Sequence, residues 1–361
     1  MKHTKQTTAP HQQERGNSRR LVSAVKLGIA VAALAILPLS PAVADQRTAN
    51  NGSTEARHEA IKPKSVSFVN GDVKMAGHLY LPNGFQASDR YPAIVVVHPA
   101  GGVKEQTSGL YAQNMAEQGF VALAYDASHQ GESGGQPRFL EDPASRVEDI
   151  RSAVDYLTTL AYVDPNRIGG LGICAGSGYT IKAATLDRRI KAAATVSAFD
   201  MGAGFRKGWE GTAPVSAQIA TLEAVAAQRS AEARGAEPKY AEYVPEIVDS
   251  TTHRDMREAH EYYRKSANQH PNAPNKMLFT SIDKIFGFTA FDQVDPLLTQ
   301  PLLVIAGSAA GSLWHSQELH AKAKGEKELF IIDGATHMDL YVGEHVGPAV
   351  NKLSPFFKRN L

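Results

Sequence analysis

The chain has 361 residues, with 38 Lys and Arg against 37 Asp and Glu, and a single cysteine. That length suits one large α/β domain with an insertion once an N-terminal leader is set aside. So even a balance of charge makes no case for nucleic acid or an anionic membrane as partner, and one cysteine excludes an internal disulfide, so the core must hold the fold.

Arg19, Arg20 and Lys26 lead into an apolar run, Leu27 to Leu39, followed by Ala42-Val43-Ala44 before Asp45. This is the order of a secretory signal peptide cleaved after Ala44, and it predicts a periplasmic or secreted protein. The apolar run has 13 residues, short of the roughly 20 that a permanent transmembrane helix needs. Ser18-Arg19-Arg20 suits a twin-arginine signal, but Val22 and Ser23 match poorly the bulky apolar pair expected after it, which favours general secretion. No cysteine lies near the cleavage point, which excludes a lipoprotein anchor. Removing residues 1–44 takes six of the 38 basic and one of the 37 acidic side chains, leaving 32 against 36 in a mature chain of 317 residues. Residues 45–60 are polar without periodicity and read as a flexible tether.

Ser65 to Val69, then Asn70-Gly71, then Val73 to Leu81 predicts two alternating strands joined by an Asn-Gly hairpin turn. Downstream, "YPAIVVVHPA", "FVALAYDAS", "RIGGLGIC", "IKAAATVSAFD", "PLLVIAGS" and "ELFIIDGA" are unbroken apolar runs of the kind that form strands buried on both faces. Helical patterns separate most of them, over 113–118, 145–160, 179–186, 316–324 and 344–357. Together they predict a doubly wound, mostly parallel sheet behind an antiparallel N-terminal hairpin.

One connection breaks the scheme: 100 residues separate Asp200 from Pro301. Within them, 214–234 carries Val215, Ile219, Leu222 and Val225 on one face, and 252–265 carries Met256, Ala259 and Tyr263. With Trp209, Tyr240, Tyr243, Phe279, Phe286, Phe288 and Phe291 added, residues 201–298 read as a helical cap over the carboxyl ends of the strands, where open α/β sheets bind ligands. The bland alternative is a peripheral decoration that touches no ligand. The core is then 61–200 with 299–361.

Gly172-Ile173-Cys174-Ala175-Gly176 has the pattern Gly-x-nucleophile-x-Gly at a strand-to-helix junction, with cysteine as nucleophile. The pattern needs small flanking residues because the nucleophile sits in a tight turn that neighbouring backbone passes closely. A buried structural cysteine is the competing reading.

With this elbow the chain resembles the α/β hydrolases, and the cysteine places it beside the dienelactone hydrolases. "GICAGSGY", "HPAGGVKEQ", "DASHQGESGG" and "LFIIDGATHMDLY" are similar to a branch of polyketide transferases and thiohydrolases grouped with Xaa-Pro peptidase-like hydrolases. The resemblance spans roughly Val66 to Leu361. It implies that His337, after the strand Leu329 to Asp333, is the catalytic histidine, able to take the thiol proton and return it to a leaving group. It also implies an aspartate soon after the strand Leu302 to Gly307, yet the chain there reads Ser308-Ala309-Ala310-Gly311-Ser312. Asp200 is therefore the first candidate for the acid, Glu318 the second, and no acid the third; Asp200 could equally bond the first turn of the cap.

The loop His98-Pro99-Ala100-Gly101-Gly102 is placed as an oxyanion loop, in which a backbone N–H near Ala100 or Gly101 joins that of Ala175. Glu105 resembles a glutamate that steadies the resting thiol in dienelactone hydrolases, although a helix-start acid suits it better. The resemblance makes Asp126 a loop-ordering residue; His98 reads as a backbone organiser and Arg138 as a candidate substrate anchor, and His129 and His315 carry no assignment. The expected activity is cleavage of an ester, lactone or thioester in a small-molecule acyl substrate, with no metal or cofactor implied. An acyltransferase on the same site, and a binding protein that kept the pocket without the acid, are the alternatives.

Overall fold

The computed structural model describes residues 61–361; the expected signal peptide and tether lie outside the described residues. Among the described residues ten strands are formed: β1 (Lys64–Asn70), β2 (Val73–Tyr80), β3 (Tyr91–Val97), β4 (Val121–Tyr125), β5 (Val163–Ile173), β6 (Ile190–Val196), β7 (Tyr240–Ala241), β8 (Met277–Leu278), β9 (Leu302–Gly307) and β10 (Lys327–Ile332). Eight make one sheet in the order β1-β2-β4-β3-β5-β6-β9-β10. The β1–β2 and β2–β4 pairs are antiparallel and all later pairs parallel. All six of the apolar runs became parallel strands, and Ile94, Val96, Leu123, Ala193 and Leu303 are fully buried.

The helices of the core are α1 (Thr107–Glu117), α2 (Pro143–Thr159) and α3 (Ala175–Leu186). The chain runs outward from β3 through α1 to β4, then back across β3 through α2 to β5. Right-handed crossovers in opposite directions put those helices on opposite faces of the sheet. The reversal opens a crevice at the carboxyl ends of β3 and β5, which is where ligands bind open sheets. One detail of the hairpin differs from expectation. Asn70 pairs with Val73, so the turn residues are Gly71 and Asp72, with Gly71 at φ +54°.

After β6 the insertion comprises α4 (Met201–Lys207), α5 (Val215–Glu232), α6 (Arg254–His260), α7 (Ile282–Phe286) and α8 (Val294–Leu297), with β7 and β8 paired as a small ribbon. The chain then closes with α9 (Leu313–Lys322) and α10 (Val346–Asn360). The helix expected over 252–265 is α6 continued by a π-type turn, Glu261–Lys265. The apolar face of α5 does not pack as its periodicity suggested: Val225 is buried, whereas Val215, Ile219 and Leu222 are 66 %, 53 % and 40 % exposed. No helix among the described residues is long and apolar enough to cross a membrane.

Candidate active site

Cys174 ends β5 and stands at the N-cap of α3 with φ 53°, a conformation that L side chains rarely adopt. The turn is closed by Cys174 N–H on Val196 O (3.0 Å), while Cys174 O accepts from Ser177 N–H (2.9 Å) and Phe199 N–H (3.1 Å). Its glycines are required by space. A Cβ on Gly172 would come within 2.4 Å of Gly176 O and Ser177 Cα, and one on Gly176 within 2.3 Å of Val97 O. The elbow is thereby wedged between its own helix and the end of β3.

The thiol is met by backbone N–H groups of Ala175 and Ala100 and by the Tyr341 hydroxyl. Ala100 is carried by the loop after β3, which His98 fixes from beneath. His98 Nε2 accepts from Ala127 N–H (3.1 Å) and its Nδ1–H donates to Pro99 O (2.6 Å), while Arg146 donates to His98 O (3.1 Å). Gly101, at φ +66°, lies under the Tyr243 ring, where a Cβ would be 2.5 Å from the ring.

His337 follows β10 in a loop that crosses Gly307, where a Cβ would sit 2.1 Å from Ala335 O. Ser197 Oγ–H donates to His337 O (3.0 Å) and holds the backbone of the loop to the end of β6. The imidazole Nδ1 bonds Ser312 Oγ (2.6 Å), and Nε2 faces the Tyr341 hydroxyl (3.3 Å). One hydroxyl thus touches both the thiol and the imidazole. Trp209 of the insertion lies edge-on to the same ring, centroids 4.8 Å apart.

Both groups rest uncharged. Burial pushes the Cys174 thiol up to about 11, against hydrogen bonds from Tyr341, Ala175 and Ala100 that favour the thiolate. Burial lowers His337 to about 4, with Asp255 opposing. No cation stands close enough here to outweigh desolvation of the thiolate.

Residues 75–232 match the profile of the dienelactone hydrolase family. The uncharacterized protein YcjY of Escherichia coli (strain K12) is 44% identical over 301 residues, spanning 82% of this chain and 98% of that protein. The chain belongs to the dienelactone hydrolase family. The crystal structure of the hypothetical protein PA2218 from Pseudomonas aeruginosa superposes on this family member with TM-score 0.79 at 35% identity, covering 84% of this chain and 95% of that one. A polyketide transferase, claH of Penicillium crustosum, is 27% identical over 294 residues, 80% of this chain and 94% of its own.

The candidate acids of this dienelactone hydrolase homologue are corrected by the structure. Asp200 Oδ1 accepts from Ala203 N–H (3.1 Å) and Oδ2 from Ala290 N–H (3.0 Å), so both oxygens fasten the insertion and neither reaches His337. Its position at the N-cap of α4, where free N–H groups need acceptors, explains this use. Glu318 pairs with Lys322 (2.9 Å) on the outer turns of α9. In the loop after β9, it is the Ser312 hydroxyl and no carboxylate that bonds His337 Nδ1. Glu105 bonds the buried Lys104 (2.6 Å), which also holds Asp126 (2.9 Å) and Glu132 (2.7 Å), so it is not the thiol's partner. Asp126 accepts from Lys104 N–H and Glu132 N–H, ordering the loop as expected. Arg138 is no free anchor: it donates to Gly131 O (2.7 Å) and to Ser133 O. His129 bonds Pro137 O, and His315 Nδ1 accepts from Asp200 N–H (3.3 Å).

Above the thiol lies a cavity of about 290 Å³. It is lined by Phe199 and Tyr341 and, from the insertion, by Met201, Phe205, Trp209, Tyr243, Val244, Met256 and Tyr263. His337 is the one titratable nitrogen in that lining. Among the described residues no cluster of three or more His, Cys, Asp or Glu side chains is placed to hold a metal ion.

Proposed function

We propose that this family member cleaves an ester, lactone or thioester through an acyl-enzyme on Cys174. The observation that carries the reading is the convergence on one sulfur of two backbone N–H groups and a hydroxyl that also contacts His337 Nε2. As Sγ attacks the carbonyl carbon, its proton passes to the Tyr341 oxygen while the Tyr341 proton passes to His337 Nε2. The carbonyl oxygen, now anionic, is held by Ala100 and Ala175 N–H; losing one such donor costs about 2.7–4 kcal/mol of barrier. Collapse expels the leaving group, which takes the proton from Nε2, and a second nucleophile releases the acyl group by the reverse transfers.

A cavity lined by aromatic and aliphatic side chains suits an uncharged acyl group. At about 30 Å³ for a group of water size, 290 Å³ accommodates about ten non-hydrogen atoms. The same dry lining favours a second reading, acyl transfer to an alcohol or amine in place of water, which the name of the fungal relative also suggests. Export through residues 1–44 remains part of the proposal, supported by the charged, apolar and small-residue order of that segment; the secreted protein should begin at Asp45. The test is hydrolysis of p-nitrophenyl acetate and butyrate by wild type, Cys174→Ala and His337→Ala, with and without a competing alcohol. Activity that survives in Cys174→Ala refutes the acyl-enzyme, and ester formation with the alcohol selects transfer.

A further inference from the structure

The His337 imidazole has two hydrogen-bond partners among the described residues and both are hydroxyls: Ser312 on Nδ1 and Tyr341 on Nε2. A hydroxyl can orient the ring but offers no charge to the imidazolium that forms when the thiol loses its proton. The loop after β9 has no carboxylate, and Asp200 and Glu318 are engaged elsewhere. The position of the acid is nevertheless not empty of charge nearby.

Asp255 lies in the first turn of α6, in the insertion, and is fully buried. Its Oδ2 accepts from Gly311 N–H (2.8 Å) and from Trp209 Nε1–H (2.8 Å). Gly311 immediately precedes Ser312, the partner of Nδ1, and Trp209 is the ring lying against His337. The carboxylate is therefore bonded to the ring that lies against the imidazole and to the residue next in chain to its Nδ1 partner. Its Oδ1 is buried with no hydrogen-bond partner among the described residues. A buried acceptor left unsatisfied costs stability, more when it is charged, and a fold without a use for the charge gains nothing by keeping it.

We propose that Asp255 is the acid of this site, a positioning residue supplied by the insertion that acts on His337 through Ser312 and Trp209 and stabilises its protonated form. The proton taken from the thiol stays on the imidazole, as in triads where the acid orients the ring and stabilises the imidazolium. The inference rests on the Cys174–His337 reading above. It makes the insertion part of the chemistry: His337 is complete only when α6 is seated on the loop after β9.

The groups facing His337 are Tyr341 and Cys174 on the Nε2 side, His315 of α9, and Asp255. His315 is held low, to about 3, by burial with His337 and Lys207 adding to it, so it is neutral over the working range. Asp255 alone among these favours the imidazolium. Removing its charge should therefore lower the pH at which His337 takes a proton, and move the acid limb of kcat/KM downward.

The experiment is the pH profile of p-nitrophenyl butyrate hydrolysis by wild type, Asp255→Asn, Asp255→Asn/Ser312→Asp and Cys174→Ala, each checked for folding by thermal melting. Asp255→Asn should lose about 10²-fold in kcat/KM, the lower range of general acid–base effects, mostly in kcat, with its acid limb at lower pH. The double variant, which restores a carboxylate on the core side, should recover at least tenfold and return the limb upward. A wild-type rate and limb in folded Asp255→Asn would overturn the proposal. Should that variant not fold, Asp255→Ser, which removes the charge and leaves a smaller hydroxyl, takes its place with the same two outcomes. Cys174→Ala separates the failures: if it is active the acyl-enzyme reading is wrong, whereas an inactive Cys174→Ala beside an unaffected Asp255→Asn removes only the role of Asp255.

Discussion

The neutral resting pair predicts how the thiol should react with a small electrophile that cannot use the site. A Cys174 thiol pushed up to about 11 by burial is thiolate to about 3 × 10⁻⁴ at pH 7.5, against about 0.09 for a free cysteine of pKa about 8.5. That is a deficit of about 300-fold. A more basic thiolate is intrinsically more nucleophilic, with a Brønsted slope of about 0.4–0.5 in thiol exchange, which returns a factor of about 10–20. Alkylation should then run about 20-fold slower than for free cysteine, before any steric term for a side chain 8 % exposed. The assay is the rate of iodoacetamide addition between pH 6 and 10.5, followed by intact mass, which the lone cysteine makes unambiguous. The rate should climb about tenfold per pH unit and show no plateau below about pH 10. Ester turnover at pH 7.5 should nonetheless be measurable and disappear in step with labelling, because the proton leaves during attack and not beforehand. A plateau below pH 8 would refute the reasoning: it would mean that a thiolate–imidazolium pair exists at rest and that burial does not control the site.

Three further outcomes are expected. Tyr341→Phe removes the hydroxyl that links sulfur and Nε2 (3.3 Å) and should lower kcat by about 10²-fold with little change in KM; an unaltered kcat would mean that the proton passes directly. Gly176→Ala places a methyl 2.3 Å from Val97 O and 2.8 Å from His98 O, so overpacking of about 1–3 kcal/mol should lower the melting temperature and displace the oxyanion loop, abolishing esterase activity in whatever fraction folds. His337 is neutral when folded and protonated only near about 4, while the unfolded chain protonates near the ordinary value of 6.5. Stability from this group is therefore present above 6.5 and lost as pH falls through about 4, by about 3 kcal/mol at 1.36 kcal/mol per unit. Urea midpoints at pH 7 and pH 4.5 should differ less in His337→Gln than in wild type.

The elbow could be read from the chain because its chemistry is local. Gly172 and Gly176 are forced by backbone passing within 2.4 Å of where a Cβ would lie, and that constraint writes itself into adjacent letters. The parallel strands were legible for a similar reason: burial on both faces leaves no polar alternation in runs such as 91–97 and 302–307. Ala100 and Ala175 followed from strand placement, since the backbone needs no particular side chain to supply an N–H. The acid had no local signal, because Asp255 reaches the site only through the packing of α6 against the loop after β9. Tyr341 was in view, four residues past His337, but its approach depends on the 3₁₀ turn Met338–Leu340 that folds the ring back. Arg138 looked like an anchor because an arginine in a glycine-rich loop has few apparent partners. The carbonyls of that same loop were the partners.

The insertion contributes to each part of the site through a different side chain, and this limits how its cavity can be altered. Trp209 holds Asp255 and lies against His337; Tyr243 covers Gly101 and donates to the buried Glu141 (2.8 Å), which also takes Tyr179 (2.7 Å) from α3. Tyr262 accepts from Thr107 N–H (3.0 Å) and packs edge-on to Tyr341 at 5.4 Å. Replacing Trp209 or Tyr243 would change cavity shape and, in the same step, the imidazole or the oxyanion loop, and replacing Tyr262 would disturb the linking hydroxyl. Val244, Met256 and Phe205 line the cavity, and no hydrogen bond of theirs runs to a group that contacts sulfur or imidazole. Size specificity should thus be adjustable at those three positions. Met256→Ala should admit a longer acyl chain with kcat preserved on the short one, and Trp209→Ala should lose kcat on every chain length. Equal behaviour of the two variants would show that the insertion is a passive cover and that its contacts with His337 carry no chemistry.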